Sequence, residues 1–109
     1  MSELQKQVLR YIDENQQLYQ EAAKQIHAQP EVSNHEFFAC KLLSGILSDH
    51  GFRVEANAAG HRTGFSASLR SEKPGPVIVF LAEYDALPNL GHGCGHNLLG
   101  GGALAAAVA

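Results

Sequence analysis

The stretch Glu83-Tyr-Asp-Ala-Leu-Pro-Asn-Leu-Gly-His-Gly-Cys-Gly-His-Asn97 holds two acids, two histidines and a cysteine within fifteen positions. Carboxylate, imidazole and thiolate together suit Zn²⁺ best, with Mn²⁺, Co²⁺ or Ni²⁺ as alternatives. His92, Cys94 and His96 are spaced two apart, with Gly91, Gly93 and Gly95 interleaved. In a locally extended segment alternate side chains face the same way, so this spacing predicts that the three donors share one space. The glycines let the backbone bend there without steric cost. A nearby cation would lower the Cys94 pKa and hold it as thiolate.

Competing chemistries fit the spacing less well. A glycine-rich turn between a strand and a helix is the arrangement of a dinucleotide loop. That motif needs Gly or Ala three positions after Gly95, where this chain has Leu98, and a tighter turn than the span from Ala82 to Gly91. A closed structural zinc site lacks a C-x₂-C pair or a His-x₃₋₅-His partner elsewhere in the chain. His92 and His96 stand four apart, but the glycines between them argue against a helix. A loop whose histidines bind nothing is the default for any one histidine. It explains less well five donors crowded at the end of a strand.

The elements that must position the loop are also legible. Val77 to Ala82, six successive apolar residues rich in β-branched types, read as a strand covered on both faces. In open α/β sheets ligands collect beyond the carboxyl ends of strands, where Glu83, Tyr84 and Asp85 follow. Upstream, Ser2 and Gln5 form an S-x-x-Q capping box that opens a helix. Leu4, Val8, Tyr11, Ile12, Leu18, Ala22 and Ile26 mark its apolar face, and Pro30 ends it. Ser33 and Glu36 predict a second capping box and a helix to about His50, with Gly51 as terminator. Alternation in Phe52–Ala58 and Phe65–Arg70 predicts an antiparallel hairpin. The small-residue run Leu98–Ala109 predicts a helix that packs closely on a sheet. The expected class is α/β: two N-terminal helices, a β-hairpin and a buried strand, then the metal-site loop and a helix, in an α/β sandwich.

Composition excludes several classes. The 109 residues amount to about one small domain, with 45% hydrophobic and 17% charged residues as in ordinary globular proteins. A net charge of −3, without a Lys/Arg cluster, gives no footprint for nucleic acid. No apolar run approaches the length of about 18 residues that would predict a membrane span. The polar N-terminus lacks the apolar core of a signal peptide, so a cytoplasmic location is expected. Cys40 and Cys94 then read as separate thiols, Cys40 as a small buried hydrophobe.

The stretch Ala82–Gly100 (AEYDALPNLGHGCGHNLLG) resembles the metal-dependent amidohydrolases and exopeptidases related to aminoacylase. The nearest branch holds p-aminobenzoyl-glutamate hydrolase and N-acyl-amino-acid hydrolases. Ile26–Glu55 and Arg62–Leu69 are similar to the same family, so the resemblance covers most of the chain from Ile26 onward. It implies an incomplete part of a zinc-exopeptidase-like α/β sandwich, with residues 1–109 as the N-terminal portion of a catalytic domain. Cys94 and His96 match the family's metal ligands, for one or two Zn²⁺ or Mn²⁺ ions. Asp85 matches the catalytic acid that orients a ligand or the attacking water. Glu83 stands where more distant relatives have a metal-binding histidine. His92 is expected to shape the site or meet substrate, and Asn97 stands where Asp is common. The implied reaction is metal-assisted hydrolysis of an amide bond in N-acyl or aminobenzoyl amino acids or small peptides, with a carboxylate as general base. That base and the remaining ligands lie past this loop in the family, so the chain alone is expected to be inactive. The whole protein is expected to be a homodimer with a small-molecule substrate. The alternatives are a stand-alone or partner-completed metal-binding module without catalysis, and a structural domain with a decayed site.

Overall fold

In the computed structural model, which describes all 109 residues, the first helix, α1 (Glu3–Ala28), opens on the expected capping box. The Ser2 hydroxyl accepts from the Gln5 N–H at 3.2 Å, and the Gln5 side-chain oxygen accepts from the Ser2 N–H at 2.8 Å. Each satisfies a donor that the first turn leaves without an intrahelical partner. Only the C-terminal half of the helix contributes to the core, through Tyr19, Ala22, Ala23 and Ile26. Leu4 and Leu9, near the start of the helix, remain exposed.

The second helix, α2 (Phe37–Asp49), starts later than expected, and it is not capped by Ser33 and Glu36. Instead the Glu31 carboxylate accepts from the Phe38 and Ala39 N–H groups, at 2.9 Å each. An anion against the positive end of a helix is favoured for both hydrogen-bonding and dipole reasons. Glu36 is engaged elsewhere, accepting from the Thr63 hydroxyl at 3.0 Å. Ala39, Leu43, Ile46 and Leu47 form the buried face of α2. Gly51 ends the turn after it in a left-handed conformation, at φ +84°.

The hairpin is present. Strands β1 (Arg53–Ala56) and β2 (Phe65–Ser68) pair antiparallel, with Arg53 opposite Ser68 and Ala56 opposite Phe65. A short 3₁₀ turn, Ala58–Gly60, lies between them. The last helix, α3 (His96–Val108), packs mainly on α1. Its contact face is glycine. A Cβ placed on Gly101 would stand 3.0 Å from the Tyr19 carbonyl oxygen, and one on Gly100 would stand 3.1 Å from Leu43 Cδ1. The core collects Tyr19, Ala22, Ile26, Ala39, Leu43, Ile46, Leu47, Tyr84 and Leu104, giving a mixed α/β architecture of three helices and one two-stranded sheet. No helix is long and apolar enough to cross a membrane.

One expectation is overturned. Val77–Ala82 is neither paired nor buried. Val77 is 90% exposed and Leu81 82%, and no backbone hydrogen bond joins the segment to the rest of the chain. A strand apolar on both faces needs neighbours at both edges and layers above and below it. The two strands of this chain pair with each other, so nothing here covers it.

Candidate metal centre

The candidate site forms where the Val77–Ala82 segment runs into the core. Three consecutive residues divide between two sides, as extended backbone dictates. Tyr84 turns inward: it is buried, stacks on Phe65 with ring centroids 6.2 Å apart, and donates its hydroxyl proton to the Thr63 carbonyl. Burial pushes the Tyr84 pKa well up, with Cys40 adding to the shift. Glu83 and Asp85, on either side of it, both reach His96. The next residue fixes the position of this turn: the Ala86 N–H donates to the Glu31 carbonyl at 2.7 Å, within a parallel bridge between Val32 and Ala86. Glu31 therefore caps α2 with its side chain and holds the site segment with its backbone.

The loop to α3 is a series of bends. Leu87 and Gly91 exchange backbone hydrogen bonds of 2.9 and 3.1 Å, closing a turn in which Asn89 adopts φ +62° and Gly91 φ +80°. Gly95, at φ +86°, is the residue from which α3 starts. Left-handed geometry is cheap for glycine, and it redirects the chain at each of these points. The expected alternation of His92, Cys94 and His96 into one space is therefore not realised. His92 has both ring nitrogens buried, Cys94 is exposed, and His96 enters the first turn of α3.

That placement brings His96 against the two acids. Its Nδ1 lies 2.7 Å from Asp85 Oδ1, and its Nε2 lies 3.0 Å from Glu83 Oε2. The ligand atoms of Glu83, Asp85 and His96 all fall within 4.8 Å of one another. The donor set of one imidazole and two carboxylates fits a divalent transition ion. Cys94 is not one of the three. Asn97 is buried away from solvent and donates from Nδ2 to the Ala23 carbonyl at 3.2 Å, which anchors α3 on α1.

His92 meets a residue to which the sequence reading gave no role. The ring of His27, in the last turn of α1, lies 6.3 Å from that of His92, centroid to centroid. Burial lowers the His92 pKa, and His27 and His96 push the same way against the opposing pull of Asp85. Neither His92 ring nitrogen has a hydrogen-bond partner, an uncommon state for buried polar atoms. The local signal for His27 was slight, a lone histidine three residues before Pro30.

The chain is 38% identical over 124 residues to a component of the p-aminobenzoyl-glutamate hydrolase of Escherichia coli (strain K12), a match covering 94% of this chain and 25% of the relative. It is 35% identical over 113 residues to the Xaa-Arg dipeptidase of Homo sapiens, covering 89% of this chain and 25% of that protein. To the N-acetyl-L-cysteine deacetylase of Bacillus subtilis (strain 168) it is 29% identical over 88 residues, covering 68% of this chain and 21% of that protein. No protein-family model matches. The chain spans about a quarter of the length of these curated relatives. The relatives share hydrolysis of an amide bond beside an amino acid, and over that quarter the chain belongs to the aminoacylase-related family of amidohydrolases and peptidases.

Proposed function

We propose that this chain supplies one corner of the active site of a metal-dependent amidohydrolase, and that the whole protein cleaves N-acyl or aminobenzoyl amino acids or small peptides. The observation that carries this reading is the Asp85–His96 contact at 2.7 Å, made where a strand-like segment ends and a helix begins. A carboxylate on one ring nitrogen holds the imidazole in place and leaves the other nitrogen free to bind a cation. His96 and Cys94 are the ligands assigned here, and Asp85 is the acid that positions His96. The ion is Zn²⁺ or Mn²⁺, one or two per site. When bound, it polarises a scissile carbonyl and lowers the pKa of water to about 7.

The chain's own residues do the rest of what this corner can do. Asp85 retains the Nδ1 proton of His96, so the Nε2 lone pair faces outward. Gly93 and Gly95 flank Cys94 on an exposed bend, where its thiol is accessible. His92 lines the adjacent surface and is the residue assigned to substrate. The general base is assigned to a part of the whole protein outside this chain, so residues 1–109 alone are expected to turn over nothing. The whole protein is proposed to act in the cytoplasm as a homodimer.

The test is hydrolysis of p-aminobenzoyl-glutamate, N-acetyl amino acids and Xaa-Arg dipeptides by the whole protein, with Zn²⁺ or Mn²⁺ and after chelation. Metal-dependent release of the free amino acid from at least one class is expected. Complete inactivity with every substrate and both metals, or activity that chelation leaves untouched, would overturn the reading.

A further inference from the structure

We propose that Glu83 is itself a metal ligand, taking the ion jointly with His96 Nε2. This rests on the metal-dependent reading above and goes beyond it, since that reading leaves the ion with two protein ligands in this chain.

His96 is bracketed, with the Asp85 carboxylate on Nδ1 at 2.7 Å and the Glu83 carboxylate on Nε2 at 3.0 Å. A neutral imidazole carries one N–H and can donate to only one of them; its other nitrogen presents a lone pair. Asp85 has the stronger claim on that proton, because its contact is shorter and less exposed. The Glu83 carboxylate then faces a lone pair, an arrangement that calls for a cation between the two. A second proton on the ring would serve, and so would a divalent ion.

The distances fit the ion. Two donors each about 2.0–2.1 Å from Zn²⁺, at a tetrahedral angle, stand about 3.4 Å apart. Nε2 and Oε2 stand 3.0 Å apart, so a small outward movement of one carboxylate admits the ion. The Glu83 side chain is 65% exposed against 26% for His96, so the carboxylate is the partner free to move. Tyr84, buried between the two acids, keeps both on the His96 side. With Cys94, Glu83 and His96 complete the three protein ligands that a catalytic zinc normally has, with a fourth position open to solvent.

The test is calorimetric titration of the chain with Zn²⁺ at pH 8, comparing wild type with Glu83→Gln, Glu83→Ala, His96→Ala and Cys94→Ala. Circular dichroism checks that each variant keeps its helix content. Glu83→Gln keeps the size of the side chain and removes its charge. We expect both Glu83 variants to bind Zn²⁺ about 10–100-fold more weakly, and His96→Ala at least as weakly. X-ray absorption on the Zn²⁺-loaded chain should show one fewer oxygen neighbour in Glu83→Ala. Wild-type affinity in both Glu83 variants, alongside loss in His96→Ala, overturns the assignment of Glu83 and leaves the metal reading standing. Equal affinity in all four variants, or no binding by wild type, overturns both.

Discussion

Three adjacent glycines of α3 should respond to alanine in different directions, and the structure sets the size of the difference. In a helix interior, Gly→Ala is worth about 0.8–1 kcal/mol in favour of alanine. At Gly102 an added Cβ meets nothing within 4 Å, so Gly102→Ala should stabilise by about that amount. At Gly101 the same Cβ would stand 3.0 Å from the Tyr19 carbonyl oxygen and 3.5 Å from Ala23 Cβ. A backbone oxygen inside a helix cannot step aside, and overpacking of this kind typically costs about 1–3 kcal/mol. The helix-propensity gain is common to both variants and cancels in their difference, so Gly101→Ala should be less stable than Gly102→Ala by about 1–3 kcal/mol. Gly100→Ala should fall between them, because its close neighbour is the mobile end of Leu43 at 3.1 Å. Urea unfolding followed by circular dichroism at 222 nm measures all three. If Gly101→Ala and Gly102→Ala unfold within about 0.3 kcal/mol of each other, the close seating of α3 on α1 is wrong. The placement of His96 against Asp85 would then be in question too, because His96 is the first residue of that helix.

Glu31→Ala should cost about 1–2 kcal/mol in the same assay, the usual range for a lost helix cap, because two N–H groups of α2 lose their acceptor. Asp85→Asn should weaken Zn²⁺ binding about 10–100-fold through loss of the acceptor on His96 Nδ1, read by competition with a chromophoric chelator. An unchanged affinity would remove Asp85 from the site. Acid should destabilise the chain through His92, whose pKa burial holds below its ordinary value of 6.5. The folded state then disfavours the imidazolium, so this contribution is complete above 6.5 and is lost as pH falls from there through the lowered value. The slope from one group is at most about 1.4 kcal/mol per pH unit, and His92→Asn should flatten the stability profile between pH 7 and 5. Parallel profiles for the two proteins would refute it.

What could be read from the residues was what short-range physics decides. Ser2 and Gln5 cap α1 because both partners lie within one turn, and the hairpin follows from alternation on either side of its turn. The cap of α2 was misread because its acceptor, Glu31, reaches the helix from seven residues before Phe38, which no local pattern marks. The loop was misread as extended because spacing carries no dihedral information: Asn89, Gly91 and Gly95 take positive φ, and each one re-aims the donor that follows. The residue types needed for a metal site were evident in the sequence, but the pairing of Glu83 with His96 was not, since it depends on where α3 begins. Val77–Ala82 carried the composition of an interior strand, but what lies beside a strand is set by the rest of the fold.

That last segment has a practical consequence. Val77, Ile78, Val79 and Leu81 stand in open water on a ribbon with both hydrogen-bonding edges free. Such a ribbon is a template for any other extended chain, including its own copies. The polypeptide on its own should therefore clump as its concentration rises, whatever the soundness of its helical core. A lysine in place of Val79 would be the simplest way to keep it dispersed for the measurements above.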